Sequence, residues 1–257
     1  MYSLHNFTNN DDVKVLQESG AFSVIEYQRD LSVTPGSAMA AYFSSQMNVR
    51  KRQLICDLNS SGVILQSGAM HWIVGDVNSK TNIKGVGDLV GKMFTGKVTG
   101  ESTVKPLYEG TGKVVLEPTY RHILLVDVGD WDNGMVIDDG LFLACEESVK
   151  QKVSARSNLS SAVAGGKGLF NLCLAGEGIA ALECYCPKEE LIEVRLQNDT
   201  LKVDGNFAIC WSKNLDFTVE RSSKSLVGSA VNGEGLVNVY RGTGRVFLAP
   251  LSKMPNI

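Results

Sequence analysis

The sequence predicts an all-β protein with an internal pseudo-threefold duplication and a few short helical segments. Three observations predict it. The stretch GTGKVVLEP at 110–118 returns as GEGIAALEC at 176–184 and as GTGRVFLAP at 242–250, at a constant spacing of 66 residues. Between these copies lie short runs of Val, Leu, Ile and Phe bounded by Gly, Asn and Asp, which is the pattern of strands and not of capped helices. Asn-Gly and Asp-Gly steps in WDNGMVIDDG and LKVDGN supply residues that tolerate positive φ, as tight hairpin turns require.

The chain divides into two kinds of unit. A first unit reads GESTVKPLYEGTGKVVLEP (100–118), GKGLFNLCLAGEGIAALEC (166–184) and GEGLVNVYRGTGRVFLAP (233–250). Each joins two apolar runs through a Gly-x-Gly, where the missing Cβ permits a bulge or sharp corner. A second unit reads MVIDDGLFLACEESVKQKV (135–153) and LKVDGNFAICWSKNLDFTV (201–219), with a weaker copy, LSVTPGSAMAAYFSSQMNV, at 31–49. The N-terminal region therefore carries a second unit without a first, and the C-terminus a first without a second. Bringing the termini together completes a third repeat and leaves no unpaired strand edge there. On this reading 1–21 is an N-terminal segment and 22–257 one β domain. Its repeats span about 98–163 and 164–229, with the third split between 22–50 and 230–251.

Ahead of each first unit stands a different segment, at 87–98, 154–165 and 221–232. Apolar residues at i, i+1 and i+4, such as Leu89, Val90 and Met93, suit a short helix. The Gly and Ser content leaves a mobile loop as the alternative.

Composition bounds the function. With 257 residues, 44% of them hydrophobic, the chain can bury a substantial core. Its net charge of −3 and the lack of any basic run beyond VRKR at 49–52 argue against nucleic acid, and that run reads as a solvated strand end. The N-terminus shows no export or organelle signal, and no apolar run approaches the roughly 20 residues needed to span a bilayer. The expectation is a cytoplasmic protein whose six cysteines are free thiols.

The ordered blocks GEGL(F/V)N and GTGRVFLAP, with Asp-Gly strands between them, resemble the altered-inheritance-of-mitochondria protein 24 family, from about Phe22 to Leu251. The chain departs from that pattern at Ser102, which replaces the second Gly of a pair. The resemblance implies a double-stranded β-helix-like fold with internal duplication, related to that of the tryptophan RNA-binding attenuation protein. The family is largely of unknown function, and its mitochondrial members are linked to inner-membrane organisation. The basic and aromatic residues used by the fold's RNA-binding relatives have no residue-by-residue match here.

No catalytic, cofactor-binding or metal site is expected. Of the three histidines, His5 lies in the terminal segment, His71 precedes Trp72 in an apolar strand, and His122 lies five residues from Asp127, on the opposite strand face. The acids Asp127, Asp130 and Asp132 open like a calcium loop, but Leu141 stands where its closing Glu belongs, so a hairpin turn is favoured. Cys184 and Cys186 share a strand face as two metal ligands would, yet no second pair accompanies them. Cys145 and Cys210 occupy equivalent places in the two second units. Each cysteine reads as a small buried hydrophobe. The glycines of GVGDLVG and GGKGLF lack the strand-to-helix setting of a phosphate cradle and read as turn residues.

The function expected is a non-catalytic binding or scaffold module, with no cofactor and with an unknown protein partner. Self-association as a trimer or ring is a further expectation, carried by the fold analogy alone. RNA binding by analogy and a small-ligand or sugar site in repeated pockets are the alternatives.

Overall fold

In the computed structural model, residues 2–30, 32–81, 105–155, 170–205, 207–221 and 236–251 are described. They form two curled antiparallel sheets and one α-helix. The first sheet contains β1 (Val13–Ser19), β2 (Phe22–Tyr27), β3 (Arg52–Asp57), β4 (Val63–Leu65), β5 (Met70–Lys80), β6 (Leu107–Leu116), β7 (His122–Asp127), β9 (Phe142–Glu146) and β12 (Ile179–Cys184). Its order is β1-β2-β3-β6-β4-β9-β12-β7, with β5 also on β6. The second contains β8 (Met135–Ile137), β10 (Lys150–Ala155), β11 (Phe170–Ala175), β13 (Ile192–Asp204), β14 (Ala208–Ser212), β15 (Asp216–Arg221) and β16 (Leu236–Leu248). Its order is β10-β11-β8-β14-β16-β13, with β15 on β16.

The Gly-x-Gly motifs stand where a strand changes partner. In β6, Leu107 and Tyr108 pair with β4 and Lys113 to Val115 pair with β3, with Gly110 to Gly112 between. In β16, Leu236 to Arg241 pair with β15 and Val246 to Leu248 with β14, with Gly242 to Gly244 between. Gly176 to Gly178 join β11 in the second sheet to β12 in the first. Gly110, Gly176 and Gly242 all take positive φ, at 130°, 98° and 119°. A strand that changes neighbours must bend and twist sharply, and a residue without a Cβ does so at least cost. The motif recurs because that local demand recurs.

The N-terminal copy of the second unit is not built of strands alone. Residues 38–46 of the expected N-terminal copy form helix α1 (Ala38–Gln46) and not a strand. Ala38, Ala40, Ala41, Met39 and Gln46 are strong helix formers, and no β-branched residue interrupts them. The first and last strands also lie in different sheets: β1 to β3 join the first through β6, while among the described residues β16 pairs with β13, β14 and β15. Among the described residues no ladder links 13–57 to 236–248. Val13–Ser19, expected in the N-terminal segment, is hydrogen-bonded to β2. The segment at 87–98 lies outside the described residues, as do nearly all of 154–165 and 221–232, Ser102 and most of the two glycine runs.

The sheets enclose linked cores. Trp131, Met135, Ile137, Phe142, Leu174 and Leu182 anchor the one between them. Phe22, Leu54, Leu65 and Leu116 fill the N-terminal part, and Trp211, Tyr240 and Val246 the C-terminal part. At roughly 1.5–3 kcal/mol for each large apolar side chain, this burial is the main stabilising contribution. Residues 127–134 form a turn but not the hairpin expected, because β7 and β8 on either side belong to different sheets: Asp127 Oδ1 accepts from Gly129 N–H at 2.9 Å, and Asn133 and Gly134 take positive φ. The turn is pinned by buried Trp131, whose ring lies 4.0 Å from the Arg245 guanidinium.

Candidate binding cleft

Strands β2 and β3 pair from Phe22↔Cys56 to Glu26↔Arg52, and residues 28–51 leave this ladder as an excursion that carries α1. Pro35 and Gly36 turn the chain, and Ala38 N–H reaches Thr34 O at 2.9 Å to start the helix. Its end follows from Asn48 at φ 60°, with Val49 N–H on Ser44 O (3.0 Å) and Asn48 N–H on Ser45 O (3.2 Å), the paired closure of a Schellman motif. From 31 to 49 there is no charged residue.

The helix is turned the reverse of a core helix. None of its residues is buried; Met39, Phe43 and, just beyond, Met47 are exposed on the side away from the sheet, Met47 at 78%. Ser37, Ala38, Ala41, Ser44 and Ser45, together with the ring of Tyr42, line a cleft of about 670 Å³ between the helix and the sheet. The small side chains on this face leave the space between helix and sheet unfilled.

The opposite wall is polar and aromatic. It includes Tyr27, Gln28, Arg50, Lys51 and Tyr120. Lys51 Nζ sits 2.7 Å from Asp30 Oδ2 and 5.9 Å from the Tyr120 ring centre. The hydrogen bond from Lys51 lowers the Asp30 pKa, and the same bond raises that of Lys51. Arg50 Nη1 donates to Gln28 Oε1 at 2.5 Å, and its Nε to Ser45 O at 3.2 Å. Tyr27 donates to Gln53 Oε1 at 2.5 Å, and burial raises its phenol pKa. A second cavity of about 470 Å³ shares Tyr27, Asp30 and Lys51 and extends to His71 and Trp72.

Beneath the cleft lies an ion pair that sequence reading missed. Arg52, expected in a solvated strand end, is 2% exposed. Its Nη2 is 2.6 Å from Glu26 Oε2, 2.7 Å from Asn48 Oδ1 and 3.1 Å from Asn48 O. Its Nη1 reaches Arg50 O at 3.3 Å, and its Nε has no hydrogen-bond partner. The guanidinium thus ties the end of α1 to β2. The signal was weak, because burial of Arg52 depends on a ladder register that local sequence does not encode.

The remaining candidates separate in space. His122 and Asp127 occupy opposite ends of β7. Burial, helped by the positive charge of Arg52, holds the His122 pKa down to about 4, so its ring is neutral at neutral pH. His71 Nδ1 lies 3.4 Å from Gln53 Nε2, and His5 Nε2 lies 3.1 Å from Ser3 Oγ. All six cysteines are free and buried. Cys145 accepts from Gln151 Nε2 at 3.3 Å, and burial pushes its pKa up to about 12. Burial likewise raises Cys210. The Sγ atoms of Cys184 and Cys186 are 3.6 Å apart, and their mutual hydrogen bond lowers the pKa of Cys184 while raising that of Cys186. No group of three or more His, Cys, Asp or Glu is arranged to hold a metal among the described residues. Nor, among these residues, is any helix long and apolar enough to cross a membrane.

A chain of two curled antiparallel sheets with an open, largely apolar cleft under a short helix, rimmed by a few paired charges, defines an all-β protein with a candidate ligand site. The family model described as mitochondrial biogenesis AIM24 matches residues 43–251, and the chain belongs to that family. An uncharacterized protein of Streptococcus pyogenes serotype M6 is 31% identical over 205 residues, covering 76% of this chain and 80% of that protein. A crystal structure of a Streptococcus pyogenes protein superimposes with a TM-score of 0.58 at 26% identity, covering 80% of this chain and 90% of the other. The double-stranded β-helix kinship with the tryptophan RNA-binding attenuation protein remains an inference from the resemblance.

Proposed function

We propose that the protein is a non-catalytic binding module whose ligand site is the cleft beneath α1. The observation that carries this reading is the cleft of about 670 Å³ walled by the small-residue face of α1 on one side and by Tyr27 and Tyr120 on the other. Its size lies within the roughly 300–1,000 Å³ of small-molecule sites, and its lining has their character, apolar and aromatic surface with a few fixed polar groups. The ligand class that fits is a small, weakly polar molecule with a ring to lay against tyrosine. The cations at the rim, Lys51 and Arg50, are engaged by Asp30 and Gln28, which favours such a ligand over a phosphate backbone.

The test is a fluorescence titration with anilinonaphthalene sulfonate as the probe. Ala41→Trp, which fills the cleft, is expected to weaken binding at least tenfold, whereas Phe43→Asp, on the outward face, leaves it unchanged. The reverse pattern would place the probe on the exposed stripe and overturn the reading.

A further inference from the structure

We propose that Cys184 and Cys186 form a two-thiolate site for a single soft monovalent ion of the copper(I) or silver(I) class. Cys184 closes β12, and Cys186 follows after one residue, just beyond the strand. The Sγ atoms converge to 3.6 Å. A close Sγ–Sγ approach is not something packing demands, since any hydrophobe of that size would fill the same space.

The surroundings select the ion. Cys184, Cys186, Ile209, Cys210 and Ala249 belong to one apolar cluster, with Tyr185 and Leu191 packed against it. Soft thiolates in such a setting favour soft ions over magnesium or calcium, which require oxygen ligands. A tetrahedral zinc site needs four ligands, and among the described residues no group of three or more metal-binding side chains is assembled. An ion content with two ligands is what the pair can hold. At 3.6 Å the sulfurs are also well beyond the roughly 2.05 Å of a disulfide bond. Binding converts two S–H groups to two S–metal bonds and releases both protons to solvent, with no change in oxidation state.

The experiment uses the full chain, reduced and held without oxygen, titrated with copper(I) against a chromophoric copper(I) chelator. One equivalent is expected to bind at least a hundredfold more tightly to the wild type than to Cys184→Ser/Cys186→Ser, while Cys210→Ser keeps the site. Far-ultraviolet circular dichroism accompanies each titration. Should the double variant fail to fold, Cys186→Ser alone reads the same loss at the rim of the cluster. Equal uptake by wild type and variant, uptake that accompanies loss of sheet signal, or isolation of the pair as a disulfide in the reduced preparation would each overturn the proposal.

Discussion

Replacing Glu26 with Gln removes the charge that faces buried Arg52 and leaves the shape nearly unchanged. With 2.6 Å between Arg52 Nη2 and Glu26 Oε2, the gross attraction at an effective dielectric near 20 is about 6 kcal/mol. Much of that offsets desolvation of the two ions, so the measurable effect is the cost of stranding a guanidinium that is 2% exposed. Breaking a buried pair in this way costs about 3–5 kcal/mol. Asn48 Oδ1 and O continue to accept from the guanidinium, which places Glu26→Gln at the lower end, about 3 kcal/mol. At about 2–4 °C per kcal/mol for a chain of this size, Tm falls by roughly 6–12 °C. Glu26→Gln/Arg52→Met removes the stranded charge as well and recovers at least half of the loss. Urea unfolding of the wild type, both single variants and the double variant closes the cycle. A loss below about 1 kcal/mol for Glu26→Gln, or additive single effects, would refute the reasoning.

Two further outcomes follow from local geometry. A Cβ at Gly110 would stand 2.2 Å from the Asp76 carbonyl oxygen at φ 130°, whereas at Gly242 the nearest atom is 3.8 Å away; Gly242→Ala is expected to cost about 1–2 kcal/mol from the backbone alone, and Gly110→Ala clearly more, by urea unfolding. The His122 pKa is depressed to about 4 in the folded chain against roughly 6.5 unfolded. Its contribution to stability is therefore complete above pH 6.5 and lost as pH falls towards 4, because the unfolded chain takes up the proton first. The Tm difference between wild type and His122→Gln, measured from pH 7.5 to 4, should shrink or reverse on acidification; a flat difference would count against burial of the neutral ring.

What the residues alone determined was the local grammar. Gly-x-Gly between apolar runs announced strands that must bend, and Gly110, Gly176 and Gly242 do bend at those places, because a backbone requirement for positive φ is written in the residue that meets it. The six cysteines read as buried and residues 127–134 as a turn from their near neighbours, but the hairpin expected there gives way to a crossing from one sheet to the other. Whether LSVTPGSAMAAYFSSQMNV formed strand or helix turned on weighing a loose repeat against alanine-rich propensity, and the repeat misled. The tertiary structure alone decided that Arg52 meets Glu26, that α1 stands off the sheet over a cleft, and that β1 and β16 lie in separate sheets. These outcomes rest on ladder register and on how two curled sheets close around shared cores, long-range pairings whose free energy no short window of sequence contains.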